Sequence, residues 1–163
     1  MNRLKGRRAL LLGLVVGVAL SGGLVYVRMS SASGPPPAIP DPAAGQHGPM
    51  ISLEERVINL RAGGAFRYAK IGVTVEIRPE DAGFYALTGD ARATAEALVV
   101  KEHASDVPLL LDALGTVVAS RTSDQLSALD GRDALKQDLV GAMRGVLGDN
   151  AVLDVYFTDL VMQ

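Results

Sequence analysis

The run FRYAKIGVTVEIRPED, residues 66–81, decides the fold. Ala69, Ile71, Val73, Val75 and Ile77 fall on one side, and Lys70, Gly72, Thr74 and Glu76 on the other. Strict alternation over nine positions is the signature of a half-buried antiparallel strand, because successive side chains leave a strand on opposite faces. Pro79 ends it, having no amide hydrogen to give a ladder. Upstream, Val57-Ile58-Asn59-Leu60 reads as a short strand, and Gly63-Gly64 supplies the turn between the two runs. Two β-rich runs around a glycine turn predict a hairpin.

Downstream the period changes. Between residues 82 and 106, Asp90 is placed to cap a helix with Ala95, Leu98 and Val99 facing inward and Ser105-Asp106 breaking it. Pro108, which needs no amide partner in a first turn, starts a second helix running to about Ser120, with Leu110, Leu114, Val117 and Val118 as its buried stripe. Gly115 weakens that helix by about 1 kcal/mol relative to alanine and marks a candidate close backbone contact. A third helix opens at Asp130, with Asp133 in its positive first turn. Leu135, Leu139, Met143, Val146 and Leu147 form its stripe, and Gly148 is expected as a left-handed cap. VLDVYFTDLVMQ, residues 152–163, is β-branched and aromatic enough to be a strand. Its apolar side chains fall on both faces, which predicts a central strand. The class is α+β, with an antiparallel sheet and two or three helices.

Residues 9–27 (ALLLGLVVGVALSGGLVYV) contain no charge. As a helix they would extend roughly 28 Å, close to the hydrocarbon thickness of a bilayer. Arg3, Lys5, Arg7 and Arg8 precede the run and one Arg28 follows it, so the positive-inside rule keeps residues 1–8 in the cytoplasm and exports the rest. A cleavable secretory signal ending near Ala19-Leu20-Ser21 is the alternative, and it exports the same part. Gly13, Gly17 and Ser21 share one helix face at the spacing that lets two helices approach in lipid. Residues 28–50 hold six of the eight prolines and read as a semi-rigid extended spacer, with His47 as polar filler. Residues 51–163 form the folded domain.

The 163 residues carry a net charge of −2, but the domain alone holds eleven bases against seventeen acids. An acidic domain without a basic face is a poor nucleic-acid binder. Having no cysteine excludes disulfides, thiolate metal sites and cysteine nucleophiles, and two histidines exclude a three-histidine zinc site. His103, between Glu102 and Asp106, reads as a surface residue. A hydrolase using it with Ser105 or Asp106 is the one enzymatic alternative, and neither a G-x-S-x-G elbow nor a phosphate-binding glycine loop is present. The acidic pairs Glu54-Glu55 and Glu80-Asp81 flank strands as exposed charge. No catalytic residue, cofactor or metal is expected.

Residues 119–126 (ASRTSDQL), Gly131 through Leu135, and the terminal Asp154-Val-Tyr-Phe-Thr-Asp-Leu-Val-Met-Gln163 together resemble the FliL family of flagellar basal-body-associated proteins. Asn59, within Val57–Leu60, and the run Arg67–Val75 resemble that family's two leading strands. Residues 82–106 have no counterpart in those motifs. The resemblance implies structural importance for Asn59, Thr122, Gly131, Tyr156, Phe157, Thr158 and Asp159. It further implies a single-pass inner-membrane protein, amino terminus inside, whose exported domain looks like those of stomatin/prohibitin-type scaffolds. Such a domain would assemble as a homo-oligomeric ring and support the MotA/MotB stator during rotation, swarming and chemotactic motility. A general membrane-anchored scaffold for another complex is the competing expectation. Of the residues, Thr122 is expected to satisfy backbone groups at a helix end, and Asp159 to need a partner because it interrupts an apolar face.

Overall fold

A computed structural model describes residues 42–43 and 45–163. The apolar run 9–27, its Gly13-Gly17-Ser21 face and most of the Pro-rich spacer lie outside them. Among the described residues, no helix is long and apolar enough to cross a membrane.

Three strands form one antiparallel sheet in the order β1 (Met50–Asn59), β2 (Tyr68–Ile77) and β3 (Val152–Met162). Between β2 and β3 come a 3-10 turn (Ala82–Ala86) and the helices α1 (Gly89–Glu102), α2 (Val107–Ala119), α3 (Ser123–Ser127) and α4 (Gly131–Leu147). Leu110, Leu114 and Val118 of α2 and Leu135, Leu139 and Met143 of α4 pack on Ile51, Ile71, Val73, Val75, Val152 and Val155 of the sheet. Burial of each such side chain contributes about 1.5–3 kcal/mol, so this helix-on-sheet layer is the main source of stability.

The hairpin forms as the alternation predicts, with Asn59 opposite Tyr68 and Leu60 N–H bonded to the Arg67 carbonyl at 2.8 Å. Its first strand is longer than the expected four residues. Strand β2 is also more than half-buried: Thr74 and Glu76 on its polar side are 8% and 3% exposed. It is the middle strand, so side chains reaching over from both neighbours roof it.

Strand β3 is an edge strand, not the expected central one. Its pairing with β2 slips between Gly72 and Val73 and again between Glu76 and Ile77. Each bulge inserts one residue and reverses the phase of the residues after it. Val152, Val155, Phe157, Leu160 and Met162 therefore all face the helices, opposite Ile77, Val75, Val73, Ile71 and Ala69. The two apolar faces read along the sequence are one face interrupted twice.

The helices follow their stripes with four corrections. Leu98 points outward at 62% exposure, while Val99 packs against the core. Helix α1 starts at Thr88 as cap, with Asp90 in the first turn. Asp130 occupies the cap position of α4 but makes no side-chain cap bond. Gly148 ends that helix at φ 109°, ψ 151°, outside the left-handed helical region though still a conformation that favours glycine. Helix α3 carries no periodic signature, because five residues are too few to display one.

Gly115 is not a close-contact site, since a methyl added there would meet nothing within 4 Å. Gly131 is one: its added methyl would lie 2.1 Å from the Gln125 carbonyl oxygen. In thermal unfolding, Gly115→Ala should therefore stabilise by about 1 kcal/mol. Gly131→Ala should instead destabilise by about 1–3 kcal/mol, because backbone must move.

Candidate functional site

The sheet face turned away from the helices carries the polar side chains, held in two clusters. At one, Lys70 on β2 reaches Glu55 of β1 at 2.8 Å and Asp159 of β3 at 2.9 Å. One ammonium thus ties all three strands. Asp159 has the partner its position demands. Gly72 sits beside this bridge, where an added methyl would fall 2.5 Å from the Thr158 hydroxyl and 3.2 Å from Glu55 Cγ. Thr158 is one of the two bulged residues of β3, and only a glycine opposite leaves room for it.

The second cluster surrounds Glu76. Its carboxylate accepts the Tyr156 hydroxyl at 2.5 Å and the Gly48 N–H at 2.7 Å, with His47 Nδ1 at 3.4 Å. The His47 ring meets Tyr156 edge-on, with centroids 6.4 Å apart. Lys136 of α4 bonds Asp154 at 2.7 Å and lies 5.0 Å from the Tyr156 ring centroid. Between the clusters, the Ser52 and Thr74 hydroxyls meet at 3.3 Å. His47 is therefore part of the roof over β2 rather than polar filler, and the buried Gly48 and Pro49 belong to the domain rather than to a free spacer.

Both clusters hold protons firmly. The Asp159 and Glu55 carboxylates beside Lys70 raise its ammonium well above the usual lysine range. The Glu76 carboxylate that accepts the Tyr156 proton, helped by desolvation, raises that phenol far above the ordinary tyrosine value. These ion pairs and hydrogen bonds are suited to holding strands together. An ammonium and a phenol so stabilised in their protonated forms make poor nucleophiles and poor acids near neutral pH.

The remaining positions singled out from sequence lie elsewhere. Thr122 caps α3: its hydroxyl accepts the Gln125 N–H at 3.2 Å, and Gln125 Oε1 accepts the Thr122 N–H at 3.0 Å. Ser123, which no sequence pattern marks, is 1% exposed and accepts the Phe66 N–H at 3.2 Å, docking the hairpin loop on α3. Asn59 is exposed at the end of β1, and Phe157 faces the core. Of these positions, Tyr156 lies in the Glu76 cluster of the open face, and Thr158 and Asp159 lie at the Lys70 cluster. His103 Nδ1 bonds Asp106 at 3.0 Å across the α1–α2 junction, an i,i+3 surface pair. Among the described residues, no group of three or more His, Asp or Glu could hold a metal.

The first strand of this domain begins at Met50, and a family model for the flagellar basal body-associated protein FliL matches residues 50–163. The chain belongs to the FliL family. It is 27% identical over 107 residues to Flagellar protein FliL of Aquifex aeolicus (strain VF5), covering 66% of this chain and 56% of that protein. The chain thus spans little more than half the length of this curated relative. The family is one of flagellar accessory proteins and is not a known enzyme family.

The two raised groups link stability to pH at the alkaline end. Folded chain keeps protons on Lys70 and Tyr156 above roughly pH 10, where the unfolded chain releases its own. Fewer protons on the unfolded state means that stability falls as pH rises there, while these groups contribute fully below it. Urea midpoints should hold from about pH 8 to 10 and drop beyond, more shallowly in Tyr156→Phe.

Proposed function

We propose that this chain is a membrane-anchored accessory protein of the flagellar motor that braces the stator. The observation that carries the reading is the family match across the whole folded domain, residues 50–163. Residues 1–8 remain cytoplasmic, 9–27 span the inner membrane, the Pro-rich spacer follows, and the folded domain, from Gly48 onward, stands on the exported side. The charge-free run of nineteen residues and the four bases preceding it support that topology.

In this role the domain assembles as a ring of identical copies around MotA/MotB and keeps the stator engaged under load. The domain suits a load-bearing part. Its strands are cross-tied by Lys70, and its hairpin loop is pinned by Ser123. The small-residue face Gly13-Gly17-Ser21 permits side-by-side packing of the anchors in lipid.

A clean deletion strain should assemble filaments yet swim and swarm less well, with the deficit growing as medium viscosity rises. Torque measured on tethered cells at high load checks this, and wild-type torque in the deletion strain would defeat the stator role. Site-specific crosslinking from the exported domain should recover MotB or MotA.

A further inference from the structure

Each outer strand of a sheet leaves a row of backbone N–H and C=O groups without a ladder partner, and folded proteins cover or blunt such rows. Tyr68 and Gln163 exchange both of their backbone bonds at 2.9 Å. By the period of two, Asp159 and Val161 also turn their backbone toward β2, while Leu160 and Met162 turn theirs outward to the free edge of β3.

Elsewhere both edges carry guards. Toward the start of β3, Arg144 Nε and Nη2 donate to the outward Val152 carbonyl at 3.1 and 3.0 Å, and Asp154 Oδ1 accepts the outward Val155 N–H at 2.8 Å. On β1 the charged run Glu54-Glu55-Arg56 falls at a slip in register, an arrangement that discourages further pairing. Among the described residues, no side chain caps the outward groups of Leu160 and Met162.

Beside those two residues lies a groove of about 320 Å³, with Leu126, Leu160 and Met162 along its floor and Leu129 and Arg132 at its rim. Leu129 is 104% exposed, in a turn closed by the Gly131 N–H bond to the Ala128 carbonyl at 3.0 Å. Among the described residues, Arg132 is the one charged side chain lining the groove, and no carboxylate pairs with it. These features share one kind of ligand. Outward backbone groups take another strand, a groove alongside takes every second side chain of that strand, and a guanidinium takes a carboxylate.

We propose that the Leu160–Met162 edge is a strand-addition site for an extended segment of a partner protein, apolar at alternate positions and carrying one carboxylate. Its backbone pairs with Leu160 and Met162, its apolar side chains lie over Leu126 and Leu129, and its carboxylate meets Arg132. The site rests on the fold alone and depends on neither the anchored topology nor the stator role.

The outward amides report occupancy directly. In the full-length isotope-labelled chain in detergent micelles, hydrogen exchange followed by NMR should be fast at Leu160 and Met162 and slow at Asp159 and Val161. A short capped peptide that alternates valine with threonine and carries one glutamate should slow Leu160 and Met162 about tenfold at about ten times its Kd. The same peptide with a central proline, which breaks the ladder, should not. Arg132→Gln should weaken the glutamate peptide about tenfold, as loss of a charged hydrogen bond implies, and leave its glutamine counterpart unchanged. Leu129→Ser should weaken both peptides. Both substitutions fall on exposed side chains, and unchanged slow exchange in β2 verifies the fold. Slow exchange at Leu160 and Met162 without peptide overturns the proposal. If that protection grows with the concentration of the chain, the occupant is a second copy. A glutamate peptide that leaves both amides unchanged at millimolar concentration, or acts no differently from the proline peptide, overturns it as well. No motor component is present, so such a failure is separate from any failure of the stator role.

Discussion

A three-stranded sheet has one strand with two neighbours, and here that strand has to be sealed on both of its faces. The helices α2 and α4 close one side with aliphatic packing. Among the described residues no third layer closes the other, so the sheet roofs itself. Lys70 draws Glu55 and Asp159 together across the strand, Thr158 leans over Gly72, and Tyr156 with the His47–Gly48 segment covers Glu76. A buried carboxylate is tolerable only when its lone pairs are satisfied, and Glu76 has both a hydroxyl and an amide to satisfy them. The polar side of β2 is thus a second, hydrogen-bonded core rather than a solvated surface.

That arrangement explains what the sequence disclosed and what it withheld. The period of Ala69–Ile77 specifies strand, hairpin and core face, because alternation reports which side meets the helices. It says nothing of whether the other side is wet, and Thr74 and Glu76 look there like ordinary exposed residues. In β3 the same rule misleads. A bulge adds one residue without leaving a glycine or proline to announce it, so Phe157 and Leu160 read as opposite faces while both pack inward. The long helices are legible from their stripes, whereas α3 and the outward turn of Leu98 depend on tertiary packing that no local pattern carries.

The polar clusters divide in the same way. Asp159 is recognisable as needing a counterpart because it interrupts an apolar run, and Thr122 because its residue type suits a helix end. Glu76, Ser123 and Gly48 are not. Each matters through a partner 28 to 80 positions distant, as in the pairs Gly48–Glu76, Phe66–Ser123 and Glu76–Tyr156. Residue type alone ranks a glutamate in a strand, a serine in a turn and a glycine before a proline as ordinary. The family resemblance draws attention to Tyr156 and Thr158, and the contacts they make supply a physical reason for those residue types.

The direction of β1 carries a further geometric result. Its first residue, Met50, follows the His47–Gly48 segment, and its last, Asn59, adjoins the hairpin loop, roughly 30 Å away at the rise of an extended chain. The two ends of the sheet are therefore separated by its full length. Phe66, Tyr68, Val57 and Val161, the exposed apolar side chains of the hairpin and of the strand segments beside it, ride at or near its far tip. A rotation of about 10° about the Met50 end would carry that tip roughly 5 Å while leaving Glu76 nearly in place.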